Sequence, residues 1–196
     1  MQIRLAGATD AAGMAEIYGP IVASTPTSFE IDPPDAAEMR RRVEATLPKL
    51  PWLVCDCEGH VAGYAYASPH KTRAAYKWSV DTSVYVHPGF RRRGIGTALY
   101  KPLFDILAAQ GYFNAYAGVT LPNPGSVGLH ESLGFQRVGV YRRVGYKLGQ
   151  WHDVGWWQRS LRGSNEVPGP TLTLRDLQSH PSWQRLLTHS QSSASL

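Results

Sequence analysis

The stretch from Val84 to Tyr100, with Val-Tyr-Val, then His-Pro-Gly-Phe, then Arg91-Arg92-Arg93-Gly94-Ile95-Gly96-Thr97, constrains this chain more than any other. A valine-rich run closed by His87-Pro88-Gly89 reads as a strand and its breaker. From Gly94 the apolar residues Leu99, Leu103, Ile106 and Leu107 recur at helical spacing, and Gly111 stops them. A strand that turns directly into a helix presents the first helical N–H groups, which have no partner inside the helix. Together with the helix dipole they favour an anion. Gly94 and Gly96 lack a β-carbon and let phosphate oxygens approach the backbone, while the arginines add attraction. The same pattern also suits an ordinary strand–turn–helix. A dinucleotide-binding Rossmann unit needs a third spaced glycine and a later acid, and a Walker loop needs Gly-Lys-Ser/Thr; neither is found.

Around this turn the chain alternates short strands and helices. Ile3-Arg4-Leu5 opens as a strand. Thr9 or Asp10 caps a helix with Met14, Ile17, Tyr18 and Ile21 on its apolar face. A proline-rich loop, residues 24–34, carries Phe29. A second helix starts near Asp35, with Met39, Val43 and Leu47 inward and Arg40-Arg41-Arg42 largely outward. Residues 52–57 and 60–67 form a hairpin through Glu58-Gly59, and residues 79–86 form the next strand. After the helix that begins at Gly94, where Pro102 predicts a bend, come a strand over 112–119, a loop and helix over 123–133, and a final hairpin of 135–147 with 154–161. The order β-α-α-β-β-β-α-β-α-β-β predicts an α/β chain. Its mixed sheet has about seven strands flanked by about four helices, parallel in the β-α-β unit from Ser79 to Val119. Residues 1–162 read as one domain. Residues 163–196 read as an extension: a Gly/Pro linker, a possible short helix between Leu172 and His189, and a serine-rich disordered end.

A chain of 196 residues is long enough for one domain with a substantial core. Its net charge of +5 suits an anionic ligand, nucleic acid included. The basic residues fall in separate clusters, Arg40–Arg42, Arg91–Arg93 and Arg142-Arg143, so a polyphosphate cofactor accounts for one and solvated faces for the others. No nucleic-acid partner is expected. No apolar run approaches the length of a membrane span, and no secretion signal is read at the start. Cys55 and Cys57 point to one face of a strand, where a mutual disulfide would be strained and a metal would need more ligands. Reduced thiols, no metal and a cytoplasmic location are the expectation.

Arg91-Arg92-Arg93-Gly94-Ile95-Gly96 after a Val-rich strand resembles motif A (R/Q-x-x-G-x-G/A) of the GNAT acetyltransferase superfamily. Asn123 followed by His130-Glu131-Ser132-Leu133-Gly134-Phe135 resembles its motif B. Within the superfamily the chain is most similar to phosphinothricin and methionine sulfoximine/sulfone acetyltransferases, in Thr82–Val86, Gly128–Glu131 and Gly149–Val154. The resemblance spans residues 1–161. It implies the GNAT fold, acetyl-coenzyme A as co-substrate, a small amino-acid-like acceptor and a homodimer. It further implies a pantetheine arm along Val84, Tyr85 and Val86 at a splayed bulge, a pyrophosphate on the amides of Arg92 to Thr97, and Asn123 near the thiol.

Acetyl transfer to an amine needs the free base, so a proton acceptor is required. Asp81 precedes the cofactor strand and is expected in the cleft as base or amine anchor. The resembling enzymes carry Glu there, one methylene longer, which makes a relaying water more plausible for Asp81. His130 stands where many GNAT enzymes place a tyrosine that protonates the leaving thiolate, and imidazole can do that work; it equally suits a histidine bonded between helix and strand. Lys71-Thr72-Arg73 is the expected clamp for an acceptor carboxylate or phosphinate, with Phe29 a candidate wall. Tyr76 and Trp78 read as packing, and His152-Asp153 as structural.

Overall fold

Contiguous burial of Trp52–Cys55 and Ala62–Ala65, and one-sided apolar stripes on the helices, sort this chain into one sheet with helices on both faces. The computed structural model describes residues 1–163, 165–181, 183 and 186. The elements are β1 (Gln2–Leu5), α1 (Ala11–Ser24), α2 (Ala36–Thr46), β2 (Trp52–Cys57), β3 (His60–Pro69), β4 (Ser79–Val86), α3 (Ile95–Ala109), β5 (Asn114–Leu121), α4 (Pro124–Ser132), β6 (Gln136–Lys147), β7 (Gln150–Ser160) and α5 (Leu174–Gln178). The seven strands lie in the order β1-β2-β3-β4-β5-β7-β6. Every neighbour pair is antiparallel except β4 and β5, whose crossover helix is α3. This is the mixed sheet that the element order predicts.

One face of the sheet is covered by α3, whose Leu99, Leu103, Ile106 and Leu107 are fully buried over Leu53, Ala65, Val80, Ala115 and Ala117. Each such leucine stabilises the fold by about 1.5–3 kcal/mol. The other face is covered by α1 and α2 through Met14, Ile17, Tyr18, Met39 and Val43. Val22, rather than Ile21, completes the buried stripe of α1; Ile21 is half-buried and turns to the cleft described below. Helix α3 is a single element with Pro102 buried inside it, so the proline does not end the helix; it leaves the Ala98 carbonyl without its helical donor.

Several local readings change in the folded chain. The Asp10 carboxylate caps no N–H of α1; it accepts from the Gly7 N–H at 2.7 Å and pairs with Arg4 at 2.7 Å. Arg42 does not face outward: it pairs with Glu30 and Glu38, each at 2.8 Å. Strand β7 begins at Gln150, not Val154, because Leu148 and Gly149 (φ 51° and 78°) close a two-residue turn directly after Lys147. Asn114, two residues later than the sequence indicates, opens β5.

The extension after residue 162 lies on the domain. The Leu172 N–H donates to the Gln110 carbonyl at 2.8 Å, the Leu174 N–H to the Lys49 carbonyl at 3.0 Å, and the buried Gln110 amide to both Lys49 and Leu172 carbonyls. Leu174, Leu177 and Trp183 join the core under α3. The serine-rich end, 190–196, lies outside the described residues.

Candidate active site

Strands β4 and β5 are paired only where Ser79, Val80 and Asp81 face Asn114, Ala115 and Tyr116. Beyond Asp81 they diverge, while β4 stays paired with β3 as far as Val86. The β5-facing backbone edge of Thr82–Val86 therefore has no strand partner, and its N–H and C=O groups face a cleft. At the apex the Thr82 hydroxyl donates to the Tyr116 carbonyl at 3.2 Å.

The cleft is a cavity of about 630 Å³. Val84, Tyr85 and Val86 line it from the strand, and Arg91, Arg92, Gly94, Ile95, Gly96 and Thr97 from the turn and the start of α3. Asn123, Gly125, Ser126 and Leu129 line it from α4, and Ile21, Thr25 and Thr27 from the end of α1 and its loop. Arg93 stands outside this wall, its guanidinium 5.4 Å from the centre of the Phe90 ring. The two glycines serve different ends. Gly94 is the residue before α3 and has φ 75°, a left-handed conformation that costs other residues roughly 1–2 kcal/mol. No atom lies within 4 Å of where its β-carbon would stand, so the turn is an open cradle. A β-carbon on Gly96 would instead meet the Leu129 side chain at 2.9 Å, so Gly96 lets α3 and α4 pack closely.

A narrower arm continues along the diverging strands, lined by Thr82, Ser83, Gly118, Thr120, Tyr100 and His130 and sharing Asn123 and Ser126 with the main cavity. Asn123 caps α4: its side-chain oxygen accepts the Ser126 N–H at 3.1 Å. His130 is buried. Its Nδ1 lies 2.7 Å from the Ser126 carbonyl, which can only accept, so Nδ1 carries the proton. Nε2 then accepts from the Tyr100 hydroxyl at 3.0 Å. Burial pushes the His130 pKa below its usual value, against the opposing bond to Ser126. A neutral ring with both nitrogens engaged has no free N–H for a thiolate. Tyr100, fully buried and part of this pair, escapes a reading by pattern because its position is indistinguishable from a core residue of α3.

Asp81 is half-buried at the apex, and burial raises its pKa above the usual carboxylate value, opposed by His70. His70 Nδ1 lies 2.7 Å from Asp81 Oδ1. The sequence reading passes over His70, which sits beside the singled-out loop. Lys71, Thr72 and Arg73 are exposed and absent from the cavity walls. Phe29 is 39% exposed and lies over Gly145, where a β-carbon would collide with its ring; it faces the β6–β7 hairpin rather than the cavity wall. His152, buried, donates from Nε2 to the Lys147 carbonyl at 3.0 Å, and Asp153 accepts the Arg143 N–H at 2.7 Å. Cys55 and Cys57 are free thiols. Among the described residues no group of three or more His, Cys, Asp or Glu could hold a metal ion.

A strand with one free edge, followed by a glycine turn into a helix, is matched by known sequences: the acetyltransferase (GNAT) family model covers residues 20–135. The chain belongs to the GNAT family. It is 41% identical over 175 residues to phosphinothricin N-acetyltransferase of Streptomyces viridochromogenes, covering 89% of this chain and 93% of that protein. It is 33% identical to the L-methionine sulfoximine/L-methionine sulfone acetyltransferase of Pseudomonas paraeruginosa, covering 85% and 98%. Among solved structures it superimposes on a GNAT superfamily phosphinothricin acetyltransferase from Sinorhizobium meliloti in complex with AcCoA, with a TM-score of 0.81, 36% identity and coverage of 86% and 92%. This GNAT chain is an acetyltransferase, and the free edge of β4 with the turn from Arg91 to Thr97 is the part of its fold suited to a nucleotide thioester.

Proposed function

We propose that the protein transfers the acetyl group of acetyl-coenzyme A to the amino group of a small amino acid of the phosphinothricin or methionine sulfoximine/sulfone type, with both substrates bound together. The observation that carries this reading is the free edge of β4, open between a phosphate cradle at one end and a half-buried carboxylate, Asp81, at the other. The names of the relatives support the acceptor class.

Acetyl-coenzyme A supplies an acyl group activated as a thioester. Backbone N–H groups from Arg92 to Thr97 would hold its pyrophosphate, with Arg91 and Arg92 beside them and Arg93 adding charge at longer range. The edge at Val84, Tyr85 and Val86 would hydrogen-bond the pantetheine arm, and an N–H near Val84 or Val86 polarises the carbonyl. The Asn123 amide N–H group faces the thiol end. Asp81 anchors the acceptor's ammonium at the end of the free edge. Arg73, with Lys71, would supply charge for the acceptor's anionic group from the loop beside Asp81, and the Thr72 hydroxyl a neutral hydrogen bond. Neutral His130 holds Tyr100 and the start of α4 in place, and the departing sulfur takes its proton from water. The exposed apolar row Val138, Tyr141, Val144 and Tyr146 on β6, with Leu148 and Trp151, supports a homodimer across that edge. Free thiols support a reducing compartment, the cytoplasm.

The test is thiol release from acetyl-coenzyme A with phosphinothricin, methionine sulfoximine, methionine sulfone, common amino acids and peptides as acceptors. Turnover of the first three is expected. Arg73→Ala is expected to raise their KM roughly tenfold or more, the loss of a charge-assisted bond of about 1.5–3 kcal/mol, with the coenzyme KM unmoved. Turnover confined to peptides would replace this reading with a protein acetyltransferase, and binding of the coenzyme without turnover of any amine would leave a sensor.

A further inference from the structure

His70 follows the last residue of β3 and lies over the sheet at the apex of the V. Its ring stacks on Tyr116, centroids 4.3 Å apart and planes 13° from parallel. It meets Tyr76 and Trp156 edge-on at 6.0 Å each. The 2.7 Å contact of Nδ1 with Asp81 Oδ1 puts the proton on nitrogen when the carboxyl is ionised, so Nε2 keeps its lone pair. Nε2 bonds to no described residue, and the side chain is 13% exposed. Asp81 and Tyr116 are the last paired residues of the parallel ladder. Gly118, next on the Tyr116 face, packs against the Trp156 ring and lines the narrow arm of the cavity. An imidazole held among three rings, with one nitrogen tied to the carboxylate where the strand pairing ends and the other bonded to no described residue, has the geometry of a general base with its orienting acid.

We infer that His70 takes the proton from the acceptor ammonium and that Asp81 is its positioning residue, an assignment that rests on the acetyl-transfer reading above. Asp81 is one methylene shorter than glutamate, and its carboxylate is bonded to the His70 ring. Through Oδ1 Asp81 fixes the ring and its tautomer; Oδ2 remains to attract the ammonium. Nε2 accepts a proton from the ammonium, and the freed nitrogen forms a bond to the thioester carbonyl carbon. The carbon–sulfur bond breaks and its electron pair leaves on sulfur; the nitrogen, now bonded to the carbonyl carbon, loses its second proton to water, and the thiolate takes one from water. His70 returns its proton to solvent. Besides each other, the titratable groups facing the pair are Lys71 in the same loop, Tyr76, Tyr116 on β5 and Tyr66 on β3.

Two measurements test this. Long-range proton–nitrogen NMR of the wild-type protein without substrates reads the tautomer: His70 is expected with its proton on Nδ1, and Asp81→Asn should abolish that preference. In steady-state kinetics H70Q is expected to lower kcat by about 10²-fold or more, the usual worth of a positioned base. It should also move the acid limb of kcat/KM to lower pH, where Asp81 alone accepts the proton, and added imidazole should restore part of the H70A rate. A wild-type His70 protonated on Nε2, or an H70Q enzyme that keeps its acid limb and falls by less than about twofold, would overturn the assignment. Failure of every amine to turn over would strike the acetyl-transfer reading instead, and the NMR tautomer would still decide the pair.

Discussion

Burial holds His130 neutral: its Nδ1–H donates to the Ser126 carbonyl, and Nε2 accepts from Tyr100 in a site 4% exposed. The unfolded ring titrates near 6.5, and the folded value lies below it. As pH falls through that window the unfolded chain binds a proton that the folded chain does not, so the stability contributed by the neutral ring is complete above 6.5 and is lost toward the folded value. His130→Gln removes the proton from both states. At neutral pH the variant should be less stable by about 1–3 kcal/mol, because Tyr100 or Ser126 loses its partner. Below pH 6.5 the wild type should lose stability more steeply than the variant, and urea titrations across that range check both. Parallel curves would show that His130 carries no such linkage. The resemblance to motif B singles out His130, but the sequence hides that a carbonyl one helical turn back and a hydroxyl from α3 take both nitrogens. It shows Asp81 as well, but not His70: the two meet only because β3 and β4 pair Ser68 with Asp81 and the chain then folds back over Tyr116.

At the scale of elements, the loop between α1 and α2 is tied down by a buried cation. Lys147, the last residue of β6, donates to the Val22 carbonyl at 2.6 Å and the Ser28 carbonyl at 2.7 Å. Burial lowers its pKa, and no carboxylate contacts its Nζ among the described residues; one carbonyl from the C-terminal turn of α1 and one from the loop stand in for it. Tyr18, Ser28, Glu30 and Arg42 close the other side of the loop. Since Thr25 and Thr27 line the main cavity, Lys147 couples the β6–β7 hairpin to the cofactor cleft. Lys147→Met should keep the fold, since it removes a buried charge with its bonds, but raise amide exchange at residues 25–30 and raise the coenzyme KM. Unchanged exchange there would mean that the Arg42–Glu30 side suffices. Periodicity reveals the helices and strands of this region, because Met14, Ile17, Met39 and Val43 follow a helical stripe. The tie itself is illegible: Lys147 lies 119 residues from Ser28 and sits in a strand where alternation assigns it no partner. The same limit applies to the start of β7, where the Leu148-Gly149 turn depends on backbone angles and not on a strong turn dipeptide.

For the whole molecule, the extension and the cleft sit at opposite ends of α3. The N-terminus of α3 lines the main cavity, and Gln110, just past its C-terminus, receives the extension through Leu172 while its amide bridges Lys49. Composition marks residues 163–170 as a linker and cannot say what the apolar residues beyond them cover. Their partners, under α3 and beside Leu50, exist only after the sheet has formed. Leu174, Leu177 and Trp183 are each at most 8% exposed, so removing them uncovers a core surface rather than shortening a loose end. Burial of three such side chains is worth on the order of 5–9 kcal/mol before the ordering entropy of the segment is subtracted. A chain ending at residue 171 should therefore unfold at a markedly lower temperature, by roughly 2–4 °C for each kcal/mol lost. Its coenzyme affinity at low temperature should match that of the full chain, because no described residue after 171 lines the cavity. Double replacement of Leu174 and Leu177 by Ser should reproduce the effect without changing length. Calorimetry and coenzyme titration on the same samples separate the two properties. Equal melting temperatures would show that the extension contributes nothing to the domain it covers, and a loss of affinity in step with stability would show that the two ends of α3 are coupled.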